Sequence, residues 1–263
     1  MNNIKIPKIV FIVPFRDRYL QKIHFDVYMK YILEDYESGD YEIYYSHQTD
    51  NRNFNRGAVK NIGFLAIKKK YPDNYKNISF IFNDIDTLPY KKNQLNFKTE
   101  KGKIKHFFGF DYALGGIISI TGEDFEKLNG FPNLWGWGLE DNKLQDRAIL
   151  NKINIDRSNF FHFHDKKILN FDKDPNKIVM KNPVSLYNNK NINLYCGLVS
   201  LVNLNFSLNN EFINILSFDD KFIPFKNAEF TKQNLIIDGN KLQDEGKSRF
   251  RSKIKMNFYY NKK

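Results

Sequence analysis

The sequence predicts an α/β fold with a mostly parallel sheet and helices on both faces, on two apolar strand-like runs, Ile9 to Val13 and Ser79 to Asn83, and the helical-period segments between them. Ile9-Val10-Phe11-Ile12-Val13, closed by Pro14, has no polar face to turn to water and reads as a buried central strand. From Tyr19 to Tyr36, Ile23, Val27 and Tyr31 recur at helical spacing with Tyr28 and Ile32 beside them, predicting a helix that ends near Gly39. Glu42 to Ser46 predicts a second strand, and Asn61 to Lys70 continues as a helix with basic residues at its C-terminal end. Ser79-Phe80-Ile81-Phe82-Asn83 is the next strand; further on, Gly197 to Leu204 and Phe212 to Phe218 predict two more. In sheets of this kind ligands bind at the carboxyl ends of the strands. Two of those ends carry polar clusters, Pro14-Phe15-Arg16-Asp17-Arg18 and Asp84-Ile85-Asp86.

A chain of 263 residues is long for one domain and short for two. It divides into a main domain, residues 1–219, and a basic C-terminal extension, residues 220–263. Its 41% hydrophobic and 16% aromatic residues exclude a disordered chain. The 41 Lys and Arg against 30 Asp and Glu give a net charge of +11, which favours anionic partners such as nucleotides. The basic residues are scattered, so no nucleic-acid partner is expected, while the tail from Lys247 to Lys263 permits peripheral contact with an anionic membrane. Cys196, alone, cannot close an internal disulfide and reads as a small buried hydrophobe. No run approaches ~20 apolar residues and the start lacks a signal-peptide pattern, which predicts a soluble, cytoplasmic protein.

Three segments carry potential chemistry. In an extended backbone Asp84 and Asp86 face the same side and can share a hard cation able to neutralise a diphosphate; the bland alternative is a turn or helix cap. His162-Phe163-His164-Asp165 repeats that logic with two imidazoles, which with Asp86 suits Mn²⁺ or Zn²⁺, against the alternative of two surface histidines. Trp135-Gly136-Trp137-Gly138-Leu139-Glu140-Asp141 joins the two tryptophans to adjacent carboxylates. Aromatic faces stack on sugars, glycine admits a ligand or a moving lid, and a carboxylate beside a hydroxyl can act as base. A core tryptophan pair before an acidic helix start is the alternative. Arg16, Arg18 and Arg56 can pair with phosphate oxygens, and Phe54 can stack on a base.

In this order and spacing, Pro14-Phe15-Arg16-Asp17-Arg18, Phe54-Asn55-Arg56 with Asn61-Ile62-Gly63-Phe64, Asn83-Asp84-Ile85-Asp86, Gly115-Gly116 leading to Asn129-Gly130-Phe131-Pro132-Asn133, and Trp135 to Asp141 resemble the β-1,4-galactosyltransferase family. The likeness runs from about Ile9 to Asp165 and, more weakly, to about Asp219. It implies a GT-A fold, a mixed-sheet nucleotide-sugar-binding relative of the Rossmann fold, and inverting transfer from a UDP-sugar to a glycan or glycolipid acceptor. Carried over, Pro14, Phe15, Arg16, Arg18, Phe54 and Arg56 would line the uridine diphosphate pocket, Asp84 would sit near ribose and sugar, and Trp137 would close over the donor. Asp86, His162 and His164 would hold Mn²⁺, the histidine pair resembling the branch that galactosylates xylose on proteoglycan linkers. Trp135, Gly138 and Glu140 would face substrate, with Asp141 as the base. Ala113 stands where the family has Tyr or Phe before Gly115-Gly116, which implies room for an N-acetyl group on the donor sugar, and Asn142 replaces an acidic residue on the acceptor side. The animal members are Golgi-anchored; a chain without that anchor implies a bacterial or viral enzyme. A silent carbohydrate-binding protein and a metal-dependent nuclease are the rival readings.

Overall fold

Every residue of the first strand, β1 (Ile9–Phe15), is buried, because the two faces of that strand meet helices on opposite sides. In the computed structural model, which describes residues 5–171, 174–181 and 183–234, β1 is followed by α1 (Tyr19–Ile32), β2 (Tyr41–Gln48), α2 (Arg56–Lys70), β3 (Ser79–Asn83) and β4 (Thr87–Pro89). Then come β5 (Lys103–Gly109), β6 (Ile117–Thr121), α3 (Gly122–Lys127), α4 (Glu140–Leu150), β7 (Asn154–Asp156), β8 (Phe161–His162) and β9 (Ile168–Asn170). The rest is β10 (Asn176–Met180), α5 (Pro183–Asn188), α6 (Lys190–Tyr195), β11 (Leu201–Asn209), β12 (Phe212–Asp220) and β13 (Phe230–Asn234).

The main sheet runs β11-β12-β2-β1-β3-β6-β5-β7, with β8 also paired to β5. β1 is parallel to β2 and β3, β12 to β2, and β7 and β8 to β5, while β6 is antiparallel to both β3 and β5, so the sheet is mixed with mostly parallel pairings, as the GT-A likeness implies. The local apolar pattern of β6 is the same in either direction, which is why strand-by-strand reading misses this. Val10 and Ile12 pack with Val59, Ile62 and Phe64 of α2 and the flanking Phe80, Phe125 and Phe131, whereas Ile9, Phe11 and Val13 pack with Phe25 and Met29 of α1.

Of the apolar residues that mark α1 in the sequence, Ile32 is buried and Tyr28 packs on the core, but the central three face outward. Ile23, Val27 and Tyr31 are exposed, and Phe25, Met29 and Ile32 carry the packing. Both sets have helical spacing, and Phe25, Met29 and Ile32 are the set that meets Ile9, Phe11 and Val13 of β1. Residues 198–200 form a 3₁₀ turn, so the strand expected from Gly197 begins at Leu201. Cys196 is buried as expected. Past Asp219, Ile223 is buried and β13 pairs antiparallel with β10, so residues 221–234 pack on the same body; the basic tail from Lys247 lies outside the described residues. Among the described residues no helix is long and apolar enough to cross a membrane.

Candidate functional site

The carboxyl ends of β1 and β3 open into a cleft of about 610 Å³. Its walls are Pro14 near the end of β1 with Arg16 and Arg18 after it, the Asp84–Asp86 turn after β3, the Ala113–Gly116 loop, and the segment from Trp137 to Asp141.

Arg56, at the start of α2, is the hub. Its Nη1 donates to Glu140 Oε1 at 2.8 Å and to both oxygens of Asp141 at 2.9 and 2.8 Å, while Nη2 and Nε donate to Asp84 at 2.6 to 3.0 Å. The local sequence makes this reach possible. Asn55 caps α2 by accepting from the Ala58 amide at 2.9 Å, and Gly57 lets the helix approach so closely that a Cβ there would lie 2.1 Å from Pro132 O. Burial disfavours charge on Arg56, but the three carboxylates outweigh it and hold the guanidinium protonated.

Gly138 at φ 111° and Leu139 at φ 72° turn the chain sharply into α4, which brings Glu140 and Asp141 into the cleft at its N-terminal turn. Arg147 anchors that helix by donating to Gly130 O at 2.6 Å. Lys60, one turn after Arg56, lies 3.2 Å from Asp141 Oδ1. Burial pushes the Asp141 carboxyl up, but Arg56 and Lys60 more than offset this and hold it below the ordinary range. The neighbouring Glu140 is raised, by burial first and by Asp141 second, and among the described residues its buried Oε2 has no hydrogen-bond partner. The same surroundings therefore favour the ionised form of Asp141 and raise the proton affinity of Glu140 beside it, an arrangement suited to a base next to a hydrogen-bonding partner.

Of the residues singled out from sequence, Pro14, Arg16, Arg18, Phe54, Arg56, Asp84, Asp86, Ala113, Gly115, Gly116, Trp137, Gly138, Glu140 and Asp141 all line this cleft. Arg16 lies 5.6 Å from the Phe54 ring centroid and donates to the Arg52 carbonyl. Two do not line it. Trp135 is 1% exposed, stacked on Phe218 at 5.2 Å and donating its indole N–H to Ile223 O at 2.8 Å, so it is core and not a sugar platform. Phe15 is fully buried under the strand end among Tyr19, Tyr45, His47 and Phe212.

The metal set is not assembled. Asp84 to Asp86 form a turn closed by Thr87 N–H to Asp84 O at 3.1 Å instead of an extended pair, and Asp84 is taken by Arg56. His162 ends β8, and a bond from Asp165 N–H to His162 O at 2.7 Å closes a turn that leaves both histidines exposed while Phe163 between them lines the cleft. Among the described residues no group of three or more His, Cys, Asp or Glu is placed to hold a metal ion.

Sequence reasoning missed Lys60 and Lys177. Lys60 could have been found by its four-residue spacing from Arg56 in an otherwise apolar run. Lys177 reaches the cleft from β10, whose Ile178 carbonyl accepts the Trp137 amide at 2.7 Å. No local motif marks it.

The family models described as "N-terminal region of glycosyl transferase group 7" and "N-terminal domain of galactosyltransferase" match residues 3–98 and 97–170. Curated proteins similar to this chain include β-1,4-galactosyltransferase 4 of Cricetulus griseus, 32% identical over 187 residues, 61% of this chain and 50% of that protein. Xylosylprotein 4-β-galactosyltransferase of Caenorhabditis elegans is 32% identical over 178 residues, 61% of this chain and 60% of that protein. The chain thus spans about half to three-fifths of the length of these relatives. The catalytic domain of Drosophila β-1,4-galactosyltransferase 7, solved with xylobiose, superposes with a TM-score of 0.61 at 23% identity, covering 80% of this chain and 94% of that one. A mutant of the same fly protein, solved with manganese, UDP-Gal and xylobiose, gives 0.58 at 22% identity, again covering 80% of this chain and 94% of that one. The shared architecture is the GT-A fold of these galactosyltransferases.

Proposed function

For a chain that belongs to the group 7 glycosyltransferase family, we propose Mn²⁺-dependent, inverting transfer of galactose or N-acetylgalactosamine from a UDP-sugar to a glycan or glycolipid hydroxyl, in β linkage. The observation that carries this reading is the meeting of Arg56, Asp84, Glu140, Asp141 and Trp137 in one cleft at the strand carboxyl ends.

Asp141 is the base: held ionised beside Arg56 and Lys60, it takes the proton of the acceptor hydroxyl as that oxygen attacks the anomeric carbon. Glu140 presents its unpartnered oxygen to the acceptor. Arg16, Arg18 and Lys177 make the donor side electropositive, and Phe54 and Trp137 supply aromatic faces for base and sugar. Ala113 leaves the donor pocket without an aromatic at that position, which supports an N-acetylated sugar as an alternative to galactose. Manganese, when bound, would offset charge on the departing diphosphate. The described side chains do not build its site: Asp86 lines the cleft, but His162 and His164 are exposed.

The test is a screen of UDP release across UDP-sugars, with and without manganese, and with and without xylose, glucose and N-acetylglucosamine derivatives. The expected result is metal-dependent, acceptor-stimulated release with UDP-galactose or UDP-N-acetylgalactosamine. Release with no donor under any condition sinks the proposal, and release unaffected by manganese removes its metal component.

A further inference from the structure

Lys60 is 1% exposed, with its ammonium 4.4 Å from the Phe131 ring centroid; burial first, and Arg56 second, disfavour its charge, and Asp141 favours it. Burying an ammonium is costly unless a specific charge receives it. Among the described residues the one carboxylate in ion-pair contact with it is Asp141, at 3.2 Å. Arg56, by contrast, divides its donors among three carboxylates. The backbone around Lys60 is rigid: Asn61 accepts the Phe131 amide at 2.9 Å and donates to Phe131 O at 2.7 Å, fixing the aromatic under the ammonium.

We propose that Lys60 is a positioning residue for transfer, a dedicated counter-charge that keeps the Asp141 carboxylate ionised and in place from the side of α2. The inference rests on the reading of Asp141 as the base. The charged and titratable groups facing Asp141 are Arg56 and Lys60 from α2, Glu140 beside it on α4, Asp84 across Arg56, and His106 under the Gly115 loop. Burial pushes His106 down to about 3, so it is neutral and does not replace Lys60. Among the described residues, removal of the ammonium leaves Arg56 as the sole cation on Asp141, shared with two other carboxylates.

The experiment compares wild type, Lys60→Met and Lys60→Arg in the full chain, with folding checked by circular dichroism. Lys60→Gln takes the place of the methionine variant if that does not fold. The first readout needs no substrate: the Asp141 carboxyl carbon is titrated by ¹³C NMR and assigned with Asp141→Asn. The second is the pH profile of kcat for sugar transfer. In Lys60→Met the Asp141 midpoint and the acid limb of kcat move to higher pH, kcat on the acid side falls roughly tenfold, and the donor KM stays put. Lys60→Arg restores both midpoints. An Asp141 titration unchanged by Lys60→Met overturns the proposal, as does a Lys60→Arg profile no better than that of the methionine variant. Absence of UDP-sugar turnover in wild type would instead sink the reading of function, and the NMR titration would still decide whether Lys60 controls Asp141.

Discussion

Gly115 and Asp141 pack so closely that a Cβ at position 115 would lie 2.3 Å from Asp141 Oδ2. The contact is held from the backbone as well, because the Leu114 amide donates to Asp141 O at 3.0 Å. A methyl group here pushes the carboxylate out of place without burying new polar surface. Gly115→Ala is expected to lower kcat roughly a hundredfold, since an ångström of misplacement costs about that much, with UDP binding retained. Transfer kinetics together with calorimetric UDP binding check this; unchanged kcat contradicts the packing.

The two tryptophans should separate cleanly. Trp135→Ala removes a stacked, hydrogen-bonded core ring and is expected to cost about 3–5 kcal/mol in urea unfolding. Trp137→Ala should leave the unfolding midpoint close to wild type and raise the donor KM. The reverse pattern would mean that the cleft is lined by the other ring.

Arg56 should be the least replaceable side chain in the cleft. Arg56→Ala strands Asp84 and Glu140 and leaves Asp141 with Lys60 alone, with an expected loss of about 3–5 kcal/mol. The double variant Arg56→Ala/Asp84→Ala should recover part of it, because one stranded charge is gone. Additive losses in a double-mutant cycle would show that the pair is not coupled.

Glu140 gives a pH signature. Its folded pKa lies above the ordinary 4.5, so the folded state holds a proton that the unfolded chain has released, and stability contributed at low pH is lost as pH rises through the raised value. Asp141 has the opposite sign, its contribution being lost on acidification. Glu140→Gln removes the first effect. Its melting temperature relative to wild type should therefore climb as pH rises from about 4 to about 8. A pH-independent difference would show that the fold does not raise the Glu140 carboxyl.

How far these features could be read in advance depended on how local their cause is. Asp84, Glu140, Asp141 and Arg56 announce themselves because charged residues beside glycine, or at the end of an apolar strand, have few structural uses. Trp135 and Trp137 share glycine neighbours and differ only in what the fold brings against them: Phe218 and Ile223 come from more than eighty residues away. The face of α1 is ambiguous for a similar reason, since Ile23-Val27-Tyr31 and Phe25-Met29-Ile32 satisfy the same period and the sheet chooses. Lys60 and Lys177 become functional candidates only through packing. The His162-to-His164 spacing promised a paired display that holds for a strand, and the Asp165-to-His162 turn removes its premise.

The hairpin-like pairing of β13 with β10 also has a practical side for anyone trimming the gene. Val179 of β10 bridges to Gly136, and Gly136 in turn bridges to Asn55 beside the hub arginine. A version stopped at Asp219, where likeness to the family fades, would discard the strand that braces this relay and leave the tryptophan side of the cleft unsupported. The shortest fragment worth expressing for catalysis therefore reaches at least Asn234.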